Sequence, residues 1–292
     1  MLAAKQASRH HHHHHRSLTS TLIFLLRQCQ YKSPLLQIHS KMLVNAIQVH
    51  NFLLPRIINL NDYPYASLLF AQILNPDEYA YNVMIRGLTT TWQKYTQSVR
   101  LYSQMKVNGL KPDNFTYPFL FISCANLLDL ICGKTVHSTV FKTGLDRDDH
   151  VAHSLITMYA KCGELVCARK VFDEIRERDL VSWNSMISGY SKAGFAREAV
   201  GLFVRMREEG EGFEPSEMTL VSVLGACGDL GDLGLGKCVE GFVVRREMEL
   251  NSYIGSALVG MYGKCGDLVS ARRVFDTMRK KDVVTWNSMI TG

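Results

Sequence analysis

The text from Met158 to Gly189, MYAKCGELVCARKVFDEIRERDLVSWNSMISG, returns almost unchanged from Met261 to Gly292 as MYGKCGDLVSARRVFDTMRKKDVVTWNSMITG. The correspondence extends back to Asn114 and Glu217 at one fixed offset of about 103 residues, with about 30 of about 76 paired positions identical. A chain that copies itself at a fixed period is built from units too small to cover their own apolar faces. Such units fold by stacking on their neighbours. The repeat thus predicts an elongated array and a function carried by repetition rather than by one centre.

The long period divides into smaller units. Between Leu180 and Ser216, an apolar stripe of Val181, Trp183, Met186, Ile187 and Tyr190 has helical spacing and is broken at Lys192-Ala193-Gly194. A second stripe follows in Ala199, Leu202, Phe203 and Met206, and the segment stops between Gly210 and Pro215. This predicts an all-α fold, an α-solenoid of stacked helix-turn-helix repeats of about 31–37 residues. The expected units are 47–77, 78–113, 114–148, 149–179, 180–216, 217–251 and 252–282, preceded by a degenerate first-repeat remnant at 34–46. A further repeat begins at 283–292 and stops midway through its first helix, as in a truncated product or a fragment of a longer chain. Units 114–148 and 217–251 both carry a Gly-Lys pair, Gly133-Lys134 and Gly236-Lys237, near the start of the second helix.

Charge is unevenly placed. No acid precedes Asp62, whereas Lys5, Arg9, Arg16, Arg27, Lys32, Lys41 and Arg56 do, so the formal excess of +6 arises in the first fifth of the chain. The near-neutral remainder argues against a broad basic face, so a polyanion would be held by a locally basic groove or by base contacts. Residues 1–33 read as an organelle transit peptide and disordered leader, rich in base and hydroxyl residues through Ser8, Ser17, Thr19, Ser20 and Thr21. This points to the mitochondrion, with the chloroplast as the alternative. The run His10 to His15 reads as a purification tag or a natural tract, with no metal or catalytic role assigned. No apolar run approaches the ~18 residues of a membrane span, so no membrane partner is expected.

Eight cysteines never form a Cys-x-x-Cys pair, which removes zinc-ribbon and redox spacing and suits a reduced compartment. Cys162 and Cys265 occupy equivalent places within KCG and read as small buried apolar residues. The chain carries no P-loop, dinucleotide fingerprint or Ser-His-Asp arrangement, so no catalytic residues, cofactor or metal are expected and the protein reads as a non-enzyme.

The segments WNSMISGY, MYAKCGELVCARKVFDEI, EAVGLFVRMREEG and CGKTVHS resemble the pentatricopeptide repeat (PPR) family, and the alternation of unit lengths is similar to its plant PLS subclass. The resemblance covers roughly residues 34 to 292 and implies a right-handed solenoid whose partner is single-stranded RNA. In that family one nucleotide is read per repeat, by the fifth residue of the first helix together with the last residue of the unit. An amide offers both a donor and an acceptor to a Watson–Crick edge, and a carboxylate in reach fixes how it points. Carried onto this chain, the resemblance pairs Asn51 with Asp77 and Asn82 with Asp113, both favouring uracil, and Asn184 with Ser216, a pyrimidine reader leaning to cytosine. It pairs Ser256 with Asp282, leaning to guanine, sets His153 with Asp179 where an amide is expected, and places Asn287 at the reading position of the last, partial unit. Tyr79, Val181 and Val284 fall at the second position, where the family sandwiches a base. Pro118 and Val221 stand at reading positions and cannot offer two hydrogen bonds, so their units act as spacers.

Each of these residues has a plainer reading. Asn near the front of a helix is commonly a surface residue, Asp at a unit end is commonly an N-cap, and His153 reads equally as a solvated helix residue. The aromatic residues Tyr159, Phe172 and Trp183 keep the buried helical spacing and read as core. PLS proteins often continue into a zinc deaminase, whose His-x-Glu and paired cysteines are missing here. The expected function is therefore sequence-selective binding of organelle RNA by a monomer, guiding editing or processing factors supplied in trans. The alternatives are a protein-interaction scaffold, with the groove gripping a peptide, and a truncated inactive product.

Overall fold

A computed structural model describes residues 18–45, 47, 50–209 and 214–291. The described regular structure is helical throughout: α1 (18–28), α2 (Lys32–Val44), α3 (His50–Asn59), α4 (Tyr63–Ala71), α5 (Glu78–Arg86), α6 (Tyr95–Val107), α7 (Tyr117–Leu127), α8 (Leu130–Thr143) and α9 (Asp149–Lys161). The series continues with α10 (Leu165–Glu174), α11 (Leu180–Lys192), α12 (Ala196–Glu209), α13 (Glu217–Leu230), α14 (Leu233–Arg245), α15 (Ser252–Lys264), α16 (Leu268–Thr277) and α17 (Val283–Thr291). A short π-helical segment, Gly87–Thr91, follows α5. Each unit expected between 47 and 282 contains one hairpin, from α3–α4 to α15–α16. The chain divides into two compact units, residues 1–123 and 124–292, each a stack of such hairpins.

Local chemistry sets the helix ends. Unit-final residues cap the next first helix, as Asp179 does by accepting from Ser182 N–H at 2.8 Å and Asp282 from Thr285 N–H at 2.9 Å. Within the hairpins the equivalent residues Gly163 and Gly266 turn the chain at φ 82° and 78°, a left-handed conformation that costs a side-chain-bearing residue energy. First helices then pack beside first helices, α9 on α11, α11 on α13, α13 on α15 and α15 on α17.

The Gly-Lys pairs have a packing reason. A Cβ on Gly133 would stand 2.6 Å from Met158 Sδ, so glycine is what lets α8 close on the buried methionine of α9, and Gly236 bears the same relation to Met261. The adjoining lysines then reach the next hairpin, Lys134 Nζ to Glu164 Oε1 at 2.9 Å and Lys237 Nζ to Asp267 Oδ2 at 3.3 Å. Trp183 is fully buried with its ring edge-on to Phe172 at 4.8 Å. Trp286 repeats the 4.8 Å contact with Phe275 but is 53% exposed, since no helix follows α17 among the described residues.

Two expectations meet a different arrangement. Residues 18–28, assigned to an unstructured leader, are helical, and Leu22 and Leu26 join Leu35, Ile38 and Met42 of α2 in the first core. Their four-residue spacing is a helical stripe that the basic, hydroxyl-rich composition around it disguises. Cys162 and Cys265, expected in the core, are only half-buried, because they sit at the C-caps of α9 and α15 where the helix runs out of the interior. The His10 to His15 run and the transit-peptide residues up to Ser17 lie outside the described residues.

Candidate nucleic-acid interface

The fifth residue of each unit lies in the first half of its first helix, and the unit-final residue stands at the start of the first helix next to it. Packing first helices side by side brings the two within hydrogen-bonding reach. Asn51 Nδ2 donates to Asp77 Oδ2 at 3.2 Å, while Asp77 Oδ1 accepts from Ala80 N–H at 2.8 Å. One carboxylate therefore caps a helix and orients an amide with its two oxygens. Asn82 Nδ2 donates to Asp113 Oδ1 at 3.0 Å and lies 3.2 Å from Oδ2. Asn184 Nδ2 donates to Ser216 Oγ at 3.0 Å, and that oxygen also receives Thr219 N–H at 3.3 Å.

The other end of two of these amides is held as well. Thr116 Oγ1 donates to Asn82 Oδ1 at 2.5 Å, and Thr219 Oγ1 donates to Asn184 Oδ1. Both threonines are buried and occupy the third position of the following unit. An amide has two donor and two acceptor sites, so one N–H and one oxygen lone pair of Asn82 remain for a ligand. Asn82 is itself only 8% exposed, and hydrogen bonds made there gain from the exclusion of water.

Ser256 and Asp282 meet through a bridge. Ser256 Oγ is 2.8 Å from Thr285 Oγ1, and Thr285 Oγ1 donates to Asp282 Oδ1 at 2.9 Å. Thr285 has one proton and directs it to the carboxylate, so the Ser256 hydroxyl donates inward and leaves its oxygen as an acceptor. The Thr285 N–H and hydroxyl bonds hold the Asp282 carboxyl below its usual pKa.

His153 is a different device. Its Nδ1 is 3.0 Å from Asp179 Oδ2 and its Nε2 is 3.1 Å from the Glu177 carbonyl, two acceptors that an imidazolium alone can satisfy together. Burial opposes the charge on His153, yet the Asp179 carboxylate and the Glu177 carbonyl raise its pKa above the usual 6.5. Burial likewise works against the Asp179 charge, but His153 and the Ser182 N–H and hydroxyl bring it down to about 2. The side chain is 14% accessible rather than solvated, and with both nitrogens committed it offers a base only its ring.

Residues at the second position of the units lie three before the fifth position, and where both are helical they share its face. Tyr79, Val181 and Val284 are all exposed there, and so are Phe115, Met218 and Tyr253, at 50–71% accessibility across the six. Pro118 and Val221 are half-buried, and Asn287 is exposed on α17.

Sequence profiles for the PPR repeat match residues 152–180, 181–211 and 256–283, and the profile of the PPR repeat family matches 76–126. In Arabidopsis thaliana, the pentatricopeptide repeat-containing protein At2g22410, mitochondrial, is 36% identical over 284 residues, which cover 94% of this chain and 41% of that protein. The chain belongs to the pentatricopeptide repeat family. A second Arabidopsis PPR protein, At2g36730, is 38% identical over 277 residues, covering 93% of this chain and 54% of its own. A third, At1g59720, chloroplastic/mitochondrial, is 38% identical over 249 residues, covering 82% and 39%. This PPR chain thus spans about two-fifths to a half of the length of these relatives. Among solved structures, the PPR protein PPR10 in complex with an 18-nt psaJ RNA element superposes with a TM-score of 0.75 at 18% identity, covering 92% of this chain and 42% of that one. The fold is accordingly an α-solenoid of PPR hairpins.

Sequence reasoning missed two columns of the PPR array. Thr116, Thr219 and Thr285 align at the third position, but their significance depends on a neighbour about thirty residues earlier. Phe115, Met218 and Tyr253 stand in the same column as the three second-position residues that were singled out, and the alignment itself carried the signal.

Proposed function

We propose that this PPR chain is a non-catalytic, sequence-selective binder of single-stranded RNA in a plant organelle, guiding editing or processing enzymes supplied in trans. The observation that carries the reading is the periodic Asn-to-Asp or Asn-to-Ser hydrogen bond, at Asn51–Asp77, Asn82–Asp113 and Asn184–Ser216, each beside an exposed row of second-position side chains. A peptide-binding groove has no need to keep that register. The RNA in the complex of the structurally similar PPR10 and the organelle names of the Arabidopsis relatives support the same reading.

The site expected is uracil at the Asn51 and Asn82 units, two unread nucleotides, a pyrimidine at Asn184, one unread nucleotide, and a purine at Ser256 with Asp282. His153 with Asp179 supplies a ring rather than a hydrogen-bond code, and Asn287 would read in the unit that follows. Tyr79, Val181 and Val284, with Phe115, Met218 and Tyr253, flank the bases.

Selection from a random single-stranded RNA pool tests this. Enrichment of a uridine pair upstream of a pyrimidine at the stated spacing is the expected result, lost in the Asn82→Ala/Asn184→Ala double variant. An unchanged affinity and preference in that variant would remove base reading.

A further inference from the structure

We infer that the threonine at the third position of a unit is a specificity-determining positioning residue for the unit before it, fixing which way the reading side chain faces. The inference rests on the RNA-binding reading above and deepens it.

The argument begins with the proton count around Asn82. Thr116 Oγ1 accepts from Asp113 N–H at 3.1 Å and has one proton to give. It approaches Asn82 Oδ1 at 2.5 Å and Asp113 Oδ1 at 3.0 Å, and the closer acceptor is the amide oxygen. The amide is thereby held at both ends: its nitrogen by a group that only accepts, its oxygen by a hydroxyl that gives it its single proton. A flipped amide would set its oxygen against the Asp113 carboxylate and give up the bond that its oxygen accepts from Thr116, whose proton would turn to Asp113 Oδ1 instead. With Thr116 fully buried, water cannot replace that bond cheaply.

Asn184 meets a different balance. Ser216 Oγ and Thr219 Oγ1 are 2.9 Å apart, so the two hydroxyls and the amide close a ring of three hydrogen bonds. Ser216 both accepts and donates, so the ring can run in either direction, with the amide turned over and each hydroxyl rotated. No carboxylate forbids the second arrangement, and the unit presents two donor–acceptor orders to a base. The locked Asn82 presents one. At Ser256 the threonine acts on a hydroxyl instead: Thr285, committed to Asp282, takes the Ser256 proton and leaves an acceptor for the donor-rich edge of guanine.

The molecule contains its own control. The Asn51–Asp77 pair has the same carboxylate, but the third position of the next unit is Ala80, which has no hydroxyl. Among the described residues the Asn51 amide is held at its nitrogen only. It should therefore discriminate uracil from cytosine less sharply than Asn82 does.

The test uses the full chain and a single-stranded RNA with UUAACAG between adenosine flanks, with cytosine substituted singly at the first or second uridine. For each protein the ratio of Kd values, cytosine over uracil, is measured at both positions. Thr116→Val, which keeps the shape and removes the hydroxyl, should lower the ratio at the second position about three- to tenfold and leave the first unchanged. Thr116→Ser should retain the wild-type ratio. Ala80→Ser should raise the ratio at the first position about threefold, a gain that a folding defect cannot imitate. If Thr116→Val and Ala80→Ser keep wild-type ratios while Asn82→Ala loses discrimination, the threonine role is overturned and base reading stands. If Asn82→Ala also changes nothing, or the wild-type chain does not bind the RNA, the RNA reading falls and the threonine role falls with it.

Discussion

Asp179 Oδ2 lies 3.0 Å from His153 Nδ1, and the pair joins the first helix of one unit to the cap of the next. The folded-state pKa of His153 is raised above 6.5, so its contribution to stability is complete below that value and fades as pH rises through the raised one. Asp179 is lowered from 3.8 to about 2, so its contribution is complete above about 3.8 and fades as pH falls toward 2. Both contributions are present together between about pH 4 and 6.5. Thermal melts of wild type and His153→Gln should differ most near pH 5.5, and the gap should shrink by pH 8.5. A gap independent of pH would show that the histidine is not charged.

Trp183 and Trp286 are the same residue of the repeat in two environments. Trp183→Ala empties a fully buried site packed on Phe172 and should cost about 3–5 kcal/mol in denaturant unfolding. Trp286→Ala, at a half-exposed site, should cost about 1 kcal/mol or less by the same measurement.

Gly133→Ala drives a methyl group into Met158 and should destabilise by about 1–3 kcal/mol. Because the obstructing atoms belong to one side chain, Met158→Leu should relieve part of that loss. The double-mutant cycle should give a coupling of about 0.5 kcal/mol or more. Additive effects would place the strain elsewhere.

Tyr253 and Phe115 are exposed at the second position of their units, which the proposed RNA-binding role sets beside the bases. Replacing both by Ala should weaken binding of the single-stranded RNA by about 1–3 kcal/mol per lost stack while leaving the selected sequence unchanged. A changed sequence preference with unchanged affinity would contradict a stacking role.

Much of this arrangement was open to reading in one dimension. The Asn82 to Asp113 and Asn184 to Ser216 contacts follow from register alone, since fifth residues and caps are set by helix period and by capping chemistry. A contact to the preceding unit's amide and a helix cap read as alternatives for a unit-final Asp, and Asp77 makes both because a carboxylate has two oxygens. The Thr116 bond was not legible, because a threonine after a capping Asp already has a sufficient local role in closing the helix end. Helix α1 was hidden by composition, in that Leu22 and Leu26 sit among hydroxyl and basic residues that outweigh a two-leucine stripe.

The Thr116 to Asn82 bond crosses the boundary at which one unit is counted as ended and the next begun. A recombination or engineered exchange that cuts between Asp113 and Asn114 transplants Asn82 with its carboxylate and leaves its hydroxyl behind. The portable module is therefore longer than the repeat, running from Glu78 at least to Thr116, and adjacent modules share residues. An array of this kind is better treated as overlapping text than as beads on a string, and the junctions where Ala80 replaces a hydroxyl are where segments can be swapped with least loss.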